Sequence, residues 1–129
     1  DLHIEVPAVS AADLVLPPSR EGSAEVRARV EAARRRQAAR YAALGARGVL
    51  INAHASGALL DRVATPDAEG AAMLKRAAET LGLSARGFHR VLRVARTLAD
   101  LDNVDQVGRI HVAEALGYRG ESLRSRAAA

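Results

Sequence analysis

Arg86, Arg90, Arg93 and Thr97 recur at intervals of three and four, which places them on one stripe of a helix. A guanidinium is a planar, permanently charged fork of donors suited to phosphate and carboxylate. For Arg90 and Arg93, a solvated helix face accounts for the spacing as well as an anion would. Arg86 differs. It falls in the first turn of the expected helix, where the macrodipole disfavours a cation by ~0.3–1 kcal/mol. Neither His89 nor Arg90, three and four residues on, offers a carboxylate. A phosphate meeting that guanidinium would turn an unfavourable charge into a favourable contact.

The run Arg34-Arg35-Arg36 is a second basic cluster. It reads either as a solvated helix face or as a contact with nucleic-acid phosphate or a neighbouring subunit. Arginine contacts to DNA would give salt-sensitive, sequence-independent affinity. The remaining reactive types converge on nothing. His3, His54, His89 and His111 do not pair at metal-ligand spacing, and without Cys there are no disulfides and no Cys-ligated zinc or iron–sulfur sites. Asp100–Asp105 has the acids of a calcium loop without its glycine or closing Glu. Ser56, Ser84 and Ser122 read as turn and cap residues. No GxxxxGK[ST] loop cradles phosphates. No catalytic residue and no metal ligand is therefore assigned in this chain.

The elements that must carry these residues follow from composition and period. The chain has 129 residues and a formal charge of +4, with 49% hydrophobic but only 2% aromatic residues, and Ala makes up about a fifth. Ala favours helix and disfavours strand. An all-α fold is expected, a small bundle of about four helices with a short N-terminal strand remnant. Lys75 is the only Lys among 19 basic residues, which fits coding bias toward Arg as well as selection. There is no apolar run of ~18 residues and no signal-peptide pattern, so a soluble cytoplasmic location without membrane contact is expected.

Leu2–Val6 alternates apolar and polar up to Pro7 and reads as one strand. A lone strand needs a sheet from elsewhere. That, and a start at Asp1 without Met, is expected of a piece of a longer protein. Residues 7–22 read as a connector, with a helical turn between Ser10 and Val15. The first long helix is expected over about 24–44, capped by Ser23 and stopped by Gly45. Val26, Val30, Ala33, Tyr41 and Leu44, with Gln37 among them, face inward; Glu25, Arg27, Arg29, Glu31, Arg34, Arg35, Arg36 and Arg40 lie on outer faces. A short helix at Gly57–Val63 follows an irregular stretch. The next starts at Thr65-Pro66-Asp67, with Thr65 as cap, and ends at Gly82. Ser84 caps a helix over about 85–101 whose apolar face runs from Phe88 to Ala99. After a turn at Asp102-Asn103, a last helix spans about Arg109–Leu116.

The run LSARGFHRVLRVARTLADL at Leu83–Leu101 resembles the signature of the magnesium-chelatase-like AAA+ ATPases, in the ComM/YifB competence-protein branch. DLHIEVP at Asp1–Pro7, the helix at Ser23–Gln37 and HVAEALGYR at His111–Arg119 are similar to family segments in the same order. Asn52-Ala53 is similar to an Asn-Ala pair of the family. Gly87-Phe88 departs from the commoner Ala-Tyr, and Gly48–Ile51 is more apolar than the family pattern.

The resemblance implies the C-terminal helical lid of the ATPase: residues 1–22 as the end of the AAA+ core and a connector, 23–120 as the lid, 121–129 as a frayed tail. By motif match the sensor-2 arginine, which reads the nucleotide's γ-phosphate, is Arg86, with Arg90 as second choice. Arg34, Arg35, Arg36 and Arg93 are candidates for phosphate or subunit contacts. ATP and Mg²⁺ are expected as cofactors of the full-length parent, with none bound by this chain alone. Expected partners are its own AAA+ core, neighbouring subunits of a homo-oligomeric, hexameric ring, and DNA in the full assembly. Two other readings stay open: the lid of a metal-chelatase motor subunit acting on a protein partner, and a free-standing basic helical DNA-binding module.

Overall fold

The helix starts are set by side chains that return to the backbone. In the computed structural model, which describes residues 2–119, five α-helices follow one another: α1 Ser23–Ala43, α2 Gly57–Ala64, α3 Ala68–Leu81, α4 Ala85–Leu101 and α5 Arg109–Gly117. Short 3₁₀ turns lie at Asp13–Val15 and Asn52–His54. The Glu25 carboxylate accepts the Gly22 N–H at 3.0 Å, so Gly22 rather than Ser23 sits at the α1 cap position. Asp67 caps α3 by accepting the Gly70 N–H at 2.7 Å. Ser84 caps α4 by accepting the Gly87 N–H at 3.2 Å. Gly82 ends α3 at φ +59°, a left-handed conformation that an L side chain resists.

Thr65 was expected to cap α3 with Pro66 as its first residue, and tertiary pairing shifts that start. Pro66 and Val107 form an isolated parallel bridge: the Asp67 N–H donates to the Val107 carbonyl at 2.8 Å, and the Gln106 amide donates to the Thr65 carbonyl at 3.1 Å. Thr65 and Pro66 are thereby drawn out of the helix, and the starts of α3 and α5 lie side by side. Gly70 permits this approach. A Cβ there would lie 2.9 Å from Pro66 Cβ and 3.3 Å from the Arg109 nitrogen.

α4 is the central element, packed against α5, α1, α2 and the Asn52–His54 turn, while α3 rests on α5. The core is aliphatic and rich in Ala: Leu60, Leu74, Val91, Val107 and Val112 surround Ala55, Ala64, Ala95 and Ala99, with Tyr41 as its one fully buried ring. Small residues let the helices approach closely and compensate for the scarcity of aromatics. The α5 start is tied by His111, whose Nδ1 accepts the Gly108 N–H at 2.8 Å, leaving Nε2 to bond Asp102 at 3.1 Å. His111 is thus a structural residue.

The strand expected at Leu2–Val6 is not formed. No sheet occurs among the described residues, so the segment has no ladder to join. It runs as an exposed single chain whose His3 N–H donates to the Tyr118 carbonyl. Residues 2–22 are exposed throughout. The tail expected at 121–129 lies outside the described residues. Among those described, no helix is long and apolar enough to cross a membrane.

Candidate functional site

The α4 arginines divide by position along the helix. Arg86 occupies the first turn, is exposed, and has no hydrogen-bond or ion-pair partner among the described residues. That turn contains no acid. Helix geometry leaves the Ala85 and Arg86 N–H groups without intrahelical acceptors, since the Ser84 hydroxyl serves only Gly87. A second guanidinium comes to the same turn from the far side of the chain: Arg119, just beyond α5, has Nη2 3.5 Å from where a Gly87 Cβ would stand. The arrangement brings cations and open N–H groups together, which is the chemistry of an anion contact.

Arg90 and Arg93, expected on a solvated or ligand-facing stripe, line a groove on α4. Arg93 Nε donates to the Ala55 carbonyl at 2.8 Å, and the Thr97 hydroxyl donates to the Arg93 carbonyl at 2.8 Å. Arg93 thereby fastens the loop before α2 to α4.

The basic run on α1 is split. Arg34 and Arg35 are exposed, with Arg35 3.9 Å from Glu31. Arg36 turns toward the α4–α5 turn, bonding Asn103 Oδ1 at 2.9 Å and pairing with Asp105. A three-arginine patch offered to one ligand is therefore not present. Arg40, expected on an outer face, is also turned inward.

Arg40 belongs to a buried polar cluster that the sequence reading did not anticipate. The Asp100 side chain is fully buried. Arg40 grips it with both terminal nitrogens, one at 3.0 Å; Arg96 Nη2 donates to Oδ1 at 3.0 Å and Asn52 Nδ2 to Oδ2 at 2.9 Å. Asn52 also accepts from the Tyr41 hydroxyl at 2.9 Å, donates its N–H to Gln37 Oε1 at 3.2 Å, and reaches Thr97 Oγ1 at 3.0 Å. Arg96 completes its set on the carbonyls of Val104, at 2.7 Å, and Asp105. Burial alone would raise the Asp100 pKa, but the Arg40 and Asn52 bonds and the Arg96 charge outweigh it and hold the carboxyl below its ordinary value. Burial pushes the Arg96 guanidinium down, yet a guanidinium keeps its proton in a protein. The cluster joins α1, the Asn52 turn, α4 and the α4–α5 turn through bonds among its own members and to the Val104 and Asp105 carbonyls.

Two signals for this cluster were legible. Leu92, Arg96 and Asp100 stand at successive i+4 positions, so Arg96 and Asp100 extend the apolar stripe. Gln37 stood among the inward residues of α1. Among the described residues, no group of three or more His, Asp or Glu could hold a metal ion.

Against known proteins, a family model described as "Magnesium chelatase, subunit ChlI C-terminal" matches residues 20–119. The chain is 39% identical to "Competence protein ComM" of Haemophilus influenzae over 120 residues, covering 92% of this chain and 22% of that protein. It is 37% identical to the uncharacterised protein YifB of Salmonella typhimurium, also over 120 residues with the same coverage. An uncharacterised protein of Mycobacterium tuberculosis is 39% identical over 104 residues, 81% of this chain and 20% of that one. The chain thus spans about a fifth of the length of these relatives. The match over residues 20–119 and these identities show that the chain belongs to the magnesium chelatase subunit ChlI C-terminal family, as a C-terminal domain of the ComM/YifB type.

Proposed function

We propose that this domain is the helical lid of a magnesium-chelatase-like AAA+ ATPase, in which Arg86 meets the γ-phosphate of ATP and couples lid position to nucleotide state in a ring acting on DNA. The observation that carries this reading is Arg86 itself: an exposed guanidinium in the first turn of α4, without an acid in that turn or a partner among the described residues. Bound phosphate would satisfy both the guanidinium and the open N–H groups beside it. Arg119, packed at the same turn, adds positive potential. This chain would supply a cation to the phosphates; its sequence has no GxxxxGK[ST] cradle, and among the described residues no group of three or more His, Asp or Glu could hold a metal ion. Nucleotide binding and turnover would therefore need the rest of the protein, including an AAA+ core and neighbouring subunits. In the full-length protein, Arg86→Ala is expected to abolish most ATP turnover while the lid stays folded; wild-type turnover would refute the assignment.

The family description, which names a chelatase subunit, supports a second reading: a motor subunit that remodels a protein partner. ATP turnover stimulated by DNA in the full-length protein favours the DNA role, and turnover indifferent to DNA favours the chelatase-type role. A free-standing DNA-binding module would instead show tight, salt-sensitive binding by this chain alone, lost on Arg34→Ala/Arg35→Ala.

A further inference from the structure

The inward stripe of α1 runs on past the core that covers it. Val26, Val30, Ala33, Gln37 and Tyr41 follow one another at intervals of three and four, so they share one side of the helix. Ala33, Gln37 and Tyr41 are buried, but Val26 and Val30 stay 39% and 44% exposed. Where burial gives way to exposure lies a groove of about 290 Å³, lined by Val30, Arg34 and Gln37 of α1, by Ile51 before the Asn52 turn and by Leu101 of α4. Gln37 is only 4% exposed. Its Oε1 accepts the Asn52 N–H at 3.2 Å, and because that group can only donate, the orientation of the amide is fixed. Nε2 is left with no hydrogen-bond partner among the described residues. Arg34, three residues before it, is exposed and has no ion-pair partner among them either. The neighbouring polar cluster has no acceptor to spare. Asn52 Oδ1 takes the Tyr41 hydroxyl, and Arg40, Arg96 and Asn52 hold both Asp100 oxygens.

We propose that this groove binds a protein segment presenting a carboxylate beside an apolar side chain. The carboxylate takes the Arg34 guanidinium and the Gln37 amide, a charged and a neutral donor on the same side of α1. The apolar side chain covers Val30 between Ile51 and Leu101. Nucleic-acid phosphate fits less well. Binding a phosphate backbone asks only for exposed cations, whereas this groove has apolar walls, one arginine and a neutral donor set deep beside it. The site lies on α1 and does not depend on what Arg86 binds.

The test is an NMR titration of the 129-residue chain with the peptide acetyl-Ala-Leu-Glu-Leu-Ala-amide, its Gln counterpart and a short DNA duplex. The Glu peptide is expected to shift the Gln37 side-chain amide and the Val30, Ile51 and Leu101 methyl signals saturably. It should bind about tenfold more tightly than the Gln peptide, which lacks the charged hydrogen bond. Arg34→Ala should remove that advantage with the melting temperature unchanged, while Arg35→Ala, outside the groove, should keep it. Gln37→Glu retains an acceptor for the Asn52 N–H but puts a like charge in place of the donor, and should abolish binding. No saturable shift at millimolar peptide, equal affinity for the two peptides, or wild-type affinity in Arg34→Ala or Gln37→Glu would overturn the proposal. So would DNA moving the same signals at lower concentration than the peptide, which would make the groove a nucleic-acid contact.

Discussion

The two ends of α4 use arginine in opposite ways. Toward its C-terminus, Arg96 is enclosed with Asp100, Asn52 and Arg40, and its terminal nitrogens are matched to carboxylate and carbonyl oxygens. At its N-terminus, Arg86 projects from a turn that offers a cation nothing. Residue type does not separate the two. The difference lies in where acceptors stand: the C-terminal end has the Asp100 carboxylate and the Val104 and Asp105 carbonyls of the α4–α5 turn, while the N-terminal turn faces outward beside another guanidinium. The first arrangement fixes helix register; the second leaves charge available for something outside the domain.

Asp100→Asn should have the largest effect, because it leaves Arg40 and Arg96 buried without their counter-charge. A loss of about 3–5 kcal/mol is expected in urea unfolding at neutral pH. The sign of the pH dependence follows from the lowered pKa. In the wild type, the stabilisation from ionised Asp100 is present above the unfolded-state value of about 4 and is lost as pH falls through the lower folded-state value. Asp100→Asn should flatten that part of the acid limb. A variant as stable as wild type would make the C-terminal cluster no tighter than the exposed end, and the contrast would fail.

Gly70→Ala should follow, at about 1–3 kcal/mol destabilising, since its Cβ would press on the rigid Pro66 ring where α3 meets α5. Thermal melting reads it directly. Gly87→Ala should act in the other direction. The new methyl would meet Ser84 Oγ at 3.4 Å and Arg119 at 3.5 Å, ordinary contacts, so the gain in helix propensity of about 0.5–1 kcal/mol should appear as a higher melting temperature. Destabilisation would mean that the N-terminal turn is packed as tightly as the C-terminal cluster.

The smallest effect on stability belongs to Arg86→Ala. Removing a cation from a helix start should leave the melt unchanged or raise it by about 0.3–1 kcal/mol. A clear loss of stability would show that Arg86 does structural work, like Arg96.

Much of the fold was legible because caps and periods are local. Ser84, Gly82 and the apolar repeat of α4 each act within a few residues, and the structure keeps them. The misses are tertiary. Thr65 is a good cap until Val107, some forty residues away, draws the Pro66 backbone aside. Leu2–Val6 carries a strand pattern, but a strand exists only with a neighbour. Arg40 looked solvent-facing because its partners, Asn52 and Asp100, come from other elements. The Arg86 position was readable because the argument for it, charge against helix dipole, is itself local. Arg119 beside Gly87 was not, since nothing in the last turn of α5 says which helix start it will meet.

The central claim is that Arg86 reads the terminal phosphate of a nucleotide. Its most direct test compares ATP and ADP affinity in the full-length protein and its Arg86→Ala variant. A charged hydrogen bond contributes about 1.5–3 kcal/mol, so ATP affinity should fall about tenfold or more while ADP affinity holds. Equal losses for both nucleotides, or none, would contradict it.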